Sequence, residues 1–330
     1  MLGYNRAMGT KTRVGVLRGG PSSEYDVSLQ TGAAVLEHLP NDRYEPLDIF
    51  IDKQGVWHHR GRPMTPERAL SQLDCAFIAM HGTYGEDGMV QKILRTHGTP
   101  FTGSDAVASS IAMNKALAKE RLKPHGIKMG YSKVVHRDDI TSAFIHEVFR
   151  TFPHPCVIKP LSSGSSHGVA IARTYHELFD ALVIAADLTE RIMLEEYIAG
   201  TEVTCGIIED FRGERLYTLP EIEIVPHATS AFFDHAAKYE GKSDEICPGR
   251  FTREIKDEIA HLARMVHSAL DLRHYSRSDF IIGKRGIHFL EVNTLPGLTP
   301  ASLLPKAVEA VGCSFSEFLD HLVQLSLKRA

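Results

Sequence analysis

Arg277 and Asp279, and then Glu291 and Asn293, stand two residues apart in largely apolar runs on either side of the turn signal Gly283-Lys284-Arg285-Gly286. Residues two apart in a strand leave the same face, so the pattern predicts a β-hairpin with oxygen ligands and one guanidinium on a single face. Only an odd-length loop puts Asp279 on the face of Glu291. A three-residue loop, Lys284-Arg285-Gly286 with Gly286 left-handed, supplies it and pairs Arg277 with Asn293. Two carboxylates directly opposite repel each other unless a cation lies between them. Oxygen donors without His or Cys suit Mg2+ or Mn2+, which bind through one or two carboxylates plus substrate phosphates. A hairpin with a solvated acidic face accounts for the same four residues equally well. The Pro- and Gly-rich run after Asn293 shifts the balance, because it leads to Ser302, an N-cap for a helix from Leu303 to Val311 whose start suits an anion.

A chain of 330 residues is long enough for two or three domains. Its 43% hydrophobic and 24% charged residues place it in the globular class, and a net charge of -4 supplies no electrostatic footprint for nucleic acid. No apolar run reaches membrane-spanning length, and MLGYNRAMGTKTR lacks the apolar core of a signal peptide, so the expected compartment is the cytoplasm. The five cysteines, Cys75, Cys156, Cys205, Cys247 and Cys313, are widely spaced and read as buried free thiols.

Along the chain, a strand from Arg13 to Leu17 runs into the loop from Arg18 to Asp26 and a helix from Val27 to Leu39, the opening of an α/β unit. The loop matches neither GxGxxG nor GxxxxGK[ST], and taken alone Glu24 reads as a first-turn acid. Strands follow at Tyr44 to Ile51 and Cys75 to Met80. The second ends in His81-Gly82-Thr83-Tyr84-Gly85-Glu86-Asp87-Gly88, at the carboxyl end of a strand where open α/β sheets bind ligands. One long helix is predicted from Ser104 to Leu122, with Lys115 close to its apolar stripe, where it either snorkels out or reaches a buried anion. Lys159 ends the strand Cys156 to Pro160. The small residues from Leu161 to Gly168 then form a loop able to fold over phosphates through backbone N–H groups. Glu195, Glu196 and Glu202 lie in or beside predicted strands. A buried carboxylate there needs a donor, such as an adenine amino group or ribose hydroxyls. The aperiodic, aromatic-bearing stretch from Pro226 to Arg250 reads as a functional loop, and the helix from Arg253 to Leu270 packs on the sheet.

GGPSSEYDVSLQ, HGTYGEDGMVQ, FTGSDAVASSIAMNKALAK, VIKPLSSGSSHGV, the pair AAKY and CPG, and LEVNTLPGLTPASLLP resemble, in this order, motifs of the D-alanine-D-alanine ligases of the ATP-grasp superfamily. The resemblance runs from about Val14 to the C-terminus. It implies an N-terminal parallel α/β domain over residues 12–104 followed by a two-subdomain ATP-grasp fold of mixed α/β and α+β character, residues 105–193 and 194–330. It also implies a ligase that makes the dipeptide of peptidoglycan from ATP and D-alanine, with two Mg2+ (or Mn2+) ions, and that commonly forms homodimers.

Residue by residue, the resemblance assigns Lys115 and Lys159 to the α- and β-phosphates and Lys238 to the γ-phosphate. Glu195 takes the adenine amino group beside the backbone of Tyr197 and Ile198, and Glu202 takes the ribose. Asp279, Glu291 and Asn293 match the metal ligands. Glu24 matches the residue that holds the ammonium of the first D-alanine, with Ser165 and Tyr239 as hydrogen-bonding partners and His81 beside that substrate. Arg277 and the Gly297 N–H match the oxyanion site, and Ser302 and Leu303 the site for the second substrate's carboxylate. The Pro226 to Arg250 loop matches a lid. In the family a tyrosine at the Tyr239 position accompanies dipeptide synthesis, and a phenylalanine there accompanies a hydroxy acid as second substrate. The chain departs from the pattern at Arg18, Asn114, His167 and Ser278. Arg18 and His167 are therefore expected to bring cationic or titratable groups near the substrate and phosphate loops.

Overall fold

The computed structural model describes residues 11–162, 168–227 and 243–328; Ser165, His167, Lys238 and Tyr239 lie outside them. The chain begins with β1 (Thr12–Gly19), α1 (Tyr25–His38), β2 (Tyr44–Ile51), β3 (Trp57–His59), β4 (Arg62–Met64), α2 (Pro66–Leu70), β5 (Cys75–Ile78) and α3 (Met89–Thr96). It continues through α4 (Ala106–Met113), α5 (Lys115–Leu122), β6 (Ser132–His136), α6 (Ser142–Thr151), β7 (Cys156–Pro160), β8 (Ala170–Ala172), α7 (Tyr175–Leu188) and β9 (Arg191–Glu196). Then come β10 (Gly200–Phe211), β11 (Glu214–Thr218), β12 (Ile222–Pro226), β13 (Ser243–Ile246), α8 (Arg253–Ala269), β14 (Tyr275–Gly283) and β15 (Gly286–Asn293), with α9 (Leu303–Ala310) and α10 (Phe315–Lys328) at the end.

These elements form two compact units, residues 1–106 with 297–330 and residues 107–296. The sequence reading assigned residues 297–330 to the last subdomain; in the contact pattern they group with the first 106. The physical link is α10, which buries Phe318, Leu319, Leu322 and Val323 and joins β2 and β5. The Tyr44 hydroxyl donates to Asp320 Oδ1 at 2.5 Å, and buried Cys75 Sγ lies 2.9 Å from Ser326 Oγ.

In the first unit the sheet order is β4-β3-β2-β1-β5, with β1 parallel to both β2 and β5. The β3–β4 hairpin carries Trp57, among the largest fully buried side chains, and has too few residues to show an alternation in the sequence. Arg18 does not bring a free cation to the substrate loop. Its guanidinium is held by both oxygens of Asp48 on β2, each at 2.7 Å, and its stem packs where a Cβ on Gly32 would stand 2.5 Å from Arg18 Cβ.

The second unit holds two sheets. The four-stranded sheet, β6-β9-β7-β8, is covered by α6 and α7 through Ile145, Val148, Leu178 and Leu182. The other runs β13-β12-β10-β14-β15, with β11 paired to β10. On it α8 lays Ile259, Ala263, Val266 and Leu270 over Val203, Ile207, Phe280 and Phe289. Burying each such aliphatic or aromatic side chain contributes roughly 1.5–3 kcal/mol.

Three local expectations change. The helix from Ser104 to Leu122 is two helices, because Asn114 is extended (φ -85, ψ 102) and its side chain accepts from Leu117 N at 3.1 Å, starting a new helix at Lys115. The run from Leu216 to Val225 is two strands, and the end of the aperiodic stretch is β13, paired to β12. In the hairpin, Asp279 does pair with Glu291 and Arg277 with Asn293, but Gly283 pairs with Gly286, so the loop has only two residues. The odd offset comes from a bulge: Phe280 pairs with Phe289, which leaves Leu290 as the extra residue.

Candidate active site

The second unit encloses a cleft of about 450 Å³, a size that suits a nucleotide-like ligand. Val157, Val169, Ile171, Ile198, Ile281 and Leu290 give it apolar walls. Lys115, Lys159, Glu195, Glu202, Asp279 and Glu291 gather polar chemistry in the same cleft. Both sheets contribute. Lys159 stands on β7 and Glu195 on β9, while Glu202 is carried by β10 and Asp279 and Glu291 by the bulged hairpin. Tyr197 and Ile198 line the connection between the sheets, where Tyr197 N donates to Pro155 O at 3.1 Å.

On the hairpin face, Arg277 grips Asp279 with two parallel hydrogen bonds, Nε to Oδ1 and Nη2 to Oδ2, each at 2.9 Å. Thr204 Oγ1 donates to Asp279 Oδ1 at 2.7 Å and Asn293 Nδ2 to Oδ2 at 3.2 Å. Opposite, Glu291 Oε2 lies 3.4 Å from Lys115 Nζ. The two cross-strand carboxylates thus each have a cationic side chain in this structure, which answers the repulsion anticipated from the sequence. Among the described residues no three His, Cys, Asp or Glu side chains cluster tightly enough to hold a metal by themselves. Two carboxylates and an amide nonetheless fit Mg2+, whose remaining ligands are ordinarily waters and substrate phosphates.

The same cleft holds a second charged group, in which Glu195 and Lys159, both anticipated, meet Lys119, which was not. Glu195 is 3% exposed, and its two oxygens are ion-paired to Lys119 Nζ and to Lys159 Nζ. Lys119 Nζ also donates to Gly130 O at 3.3 Å. Burial opposes both ammoniums. It pushes Lys159 down to about 7, aided by Lys119 and Lys115 and opposed by Glu291, and pushes Lys119 down to about 8. In the cleft lining Arg250 binds Glu223 through Nε at 3.0 Å and Nη2 at 2.9 Å, which holds Glu223 below the usual carboxylate range.

The first unit builds its loops by hydrogen bonds from and to hydroxyls and backbone N–H groups. Glu24 is the N-cap residue of α1, yet its side chain makes no capping bond. Its carboxylate lies instead beside Gly82, where a Cβ would stand 3.1 Å from Glu24 Oε1 and 2.4 Å from Ser22 Oγ. Gly82 also has φ +71, so both space and backbone require glycine there. His81 is buried; its Nε2 lies 2.8 Å from Thr31 Oγ1 and its N–H donates to Ser28 Oγ at 3.0 Å. Glu86 and Asp87 are spent on the loop itself, accepting from Gly82 N and Tyr84 N, each at 2.8 Å. In the last segment Ser302 is the N-cap residue of α9 with no side-chain capping bond. Its Oγ accepts from Thr299 N at 3.1 Å, and a Cβ on Gly297 would stand 2.8 Å from it.

Sequence profiles described as D-ala D-ala ligase C-terminus and D-ala D-ala ligase N-terminus match residues 108–324 and residues 13–67 and 60–104. A D-alanine–D-alanine ligase of Geobacter sulfurreducens is 37% identical over 315 residues, covering 94% of this chain and 93% of that protein. This chain belongs to the D-alanine–D-alanine ligase family. Members of the D-alanine–D-alanine ligase family are ATP-dependent ligases with the ATP-grasp fold. Among solved structures, the D-alanine–D-alanine ligase from Bacillus anthracis complexed with ATP is 31% identical with a TM-score of 0.77, covering 96% of this chain and 98% of that one. VanG D-Ala:D-Ser ligase from Enterococcus faecalis is 30% identical with a TM-score of 0.83, covering 96% and 100%.

Of the residues singled out by the resemblance to the ligase family, Lys115, Lys159, Glu195, Tyr197, Ile198, Glu202, Asp279 and Glu291 line one cleft. Arg277 and Asn293 join it through Asp279. Glu24, His81, Gly297, Ser302 and Leu303 belong to the other compact unit. Lys119, Thr204 and the Glu223–Arg250 pair were missed. Only Lys119 had a signal in the sequence: it stands one helical turn after Lys115, on the same face. Free thiols were anticipated and are found: all five cysteines are unpaired, with Cys75, Cys156, Cys205 and Cys313 buried.

Proposed function

We propose that this chain joins two D-alanines in an ATP-dependent reaction to give the dipeptide used in peptidoglycan. The observation that carries the reading is the convergence of Lys115 and Lys159 with Asp279 and Glu291 in a nucleotide-sized cleft. Glu195 would accept from the adenine amino group, beside the backbone of Tyr197 and Ile198, and Glu202 from ribose hydroxyls. Lys115, Lys159 and Lys238 would neutralise the phosphates. Asp279, Glu291 and Asn293 would hold two Mg2+ (or Mn2+) ions, which supply charge neutralisation for phosphoryl transfer.

Glu24 holds the ammonium of the first D-alanine, with Ser165 and Tyr239 as hydrogen-bonding partners and His81 shaping the loop beside it. The substrate carboxylate, a poor electrophile, takes the γ-phosphoryl group, and the amine of a second D-alanine attacks the resulting acyl phosphate. Arg277 stabilises the oxyanion that forms, the role also given to the Gly297 N–H; such a donor contributes about 3 to 4 kcal/mol in other enzymes. Ser302 and Leu303 receive the carboxylate of the second substrate. Among the described residues no helix is long and apolar enough to cross a membrane, and the reading places the protein in the cytoplasm as a homodimer.

The likeness to a D-Ala:D-Ser ligase supports a second reading, in which D-serine replaces the second D-alanine. The test is phosphate release from ATP with D-alanine alone and with D-serine or D-lactate added, with products identified by mass spectrometry. Dipeptide of D-alanine as the main product supports the first reading. Dominance of the mixed product establishes the second, and no nucleotide turnover with any of the three overturns both.

A further inference from the structure

Helix α5 buries Lys115, Ala118, Lys119 and Leu122, the positions of one helical face. An apolar residue would be the ordinary occupant of such a position, and a buried ion pair stabilises little once desolvation is counted. Lys119 is nevertheless directed onto Glu195, and a second bond to Gly130 O at 3.3 Å fixes its ammonium. The site is tight: a Cβ on Gly130 would stand 3.3 Å from Glu195 Cγ and 3.1 Å from Glu196 O. Glu195 therefore has two cations on its carboxylate in this structure, Lys119 from α5 and Lys159 from β7.

The reading of the preceding section, on which this inference rests, requires Lys159 to serve the nucleotide phosphates, and Lys159 cannot do so while it neutralises Glu195. We propose that Lys119 is a positioning residue for nucleotide binding, a resident counter-ion that keeps Glu195 charged and in place so that Lys159 is released to the phosphates. Two ammoniums share the carboxylate before the nucleotide arrives. One remains afterwards, and the adenine amino group takes the vacated hydrogen-bonding position. Without Lys119, departure of Lys159 would strand a buried carboxylate with no cation, so the nucleotide would have to compete with a tighter Lys159–Glu195 pair.

The experiment uses the full chain and compares wild type, Lys119→Met, Lys119→Arg, Glu195→Gln and the Lys119→Met/Glu195→Gln double variant. It measures the calorimetric Kd for ATP with Mg2+, and kcat and KM for ATP with D-alanine. Lys119→Met is expected to raise Kd and KM for ATP by about tenfold while kcat moves by less than about threefold, the split expected when binding rather than the chemical step is lost. Lys119→Arg should recover most of the affinity. In the Glu195→Gln background, where there is no charge to counter, removing Lys119 should change Kd by less than about twofold.

Equal ATP affinity in wild type and Lys119→Met overturns the proposal, and so does a penalty that is undiminished in the Glu195→Gln background. If Lys119→Met alone does not fold, the double variant and Lys119→Arg carry the same comparison. Wild type that binds ATP but forms no product overturns the ligase reading and leaves the Kd comparison to judge Lys119 separately.

Discussion

The two compact units prepare polar groups in opposite ways. In the first, the loops around Glu24 and His81 are held by hydroxyls and backbone N–H groups, with Thr31 on the His81 ring, Ser28 on the His81 backbone N–H, and backbone N–H groups on the carboxylates of Glu86 and Asp87. In the second, the cleft is set by charge on charge: Arg277 on Asp279, Lys115 on Glu291, and Lys119 with Lys159 on Glu195. A network of local hydroxyl and backbone donors can stay intact when a small zwitterion binds. A cleft of internally paired charges is satisfied before its ligand comes, and its pairs must be exchanged for new ones. On the proposed function, the difference teaches that the loops assigned to the substrate are pre-formed, whereas the cleft assigned to the nucleotide is pre-neutralised.

The largest effect should come from Glu291→Gln, which removes one charge from the cleft at nearly constant shape. On the proposed role of Glu291 in holding a charge-stabilising metal, turnover should fall on the order of 10²- to 10³-fold, with an unchanged far-UV circular dichroism spectrum. Near-normal turnover at saturating Mg2+ would show that exchangeable charge is not what this hairpin provides.

A smaller effect is expected in the first unit from His81→Ala, which takes the ring nitrogen away from the Thr31 hydroxyl while the backbone N–H bond to Ser28 Oγ stays. KM for D-alanine should rise about tenfold, in line with an unsatisfied buried polar group, while the Kd for ATP stays within about twofold. Equal losses of both affinities would break the distinction between the two regions.

The smallest effect tests whether ionisable groups of the first unit serve structure alone. Tyr44 is pushed up to about 12, chiefly by burial and then by its bond to Asp320, against the opposing bond from Gln324 and the charge of Arg43. A raised tyrosine contributes stability that is complete below its unfolded value of 10.0 and is lost as pH climbs through about 12. Tyr44→Phe should cost about 1 kcal/mol at neutral pH, and denaturant titrations should show a flatter decline above pH 10 than in wild type. Altered turnover at neutral pH with unchanged stability would instead give Tyr44 a part in the reaction.

Much of this was legible in the residues, because it depends on local geometry. Alternation two residues apart put Arg277, Asp279, Glu291 and Asn293 on one face. Strand-then-loop patterns marked Glu24, His81 and Lys159, and ordered motifs carried the family. What the sequence by itself determined, then, was the set of chemical groups and the local element each stands on.

Tertiary structure alone decided how these groups are spent. The Asp279–Glu291 register is the one expected, yet a bulge at Leu290 produces it rather than a longer loop, since pairing across a sheet depends on both strands together. Asn114 breaks a helix that apolar spacing had made continuous, because its side chain offers the backbone a competing bond. Residues 297–330 group with the first unit because α10 finds its apolar partners on β5 and α1, contacts between residues more than 200 positions apart that no local period encodes. Lys119 and Glu195 are 76 residues apart, and their pairing follows from the packing of α5 through Ala118 and Leu122 into the core beneath α8. Long-range charge neutralisation of this kind leaves no periodic mark on a sequence, since it requires only that two side chains reach the same buried volume.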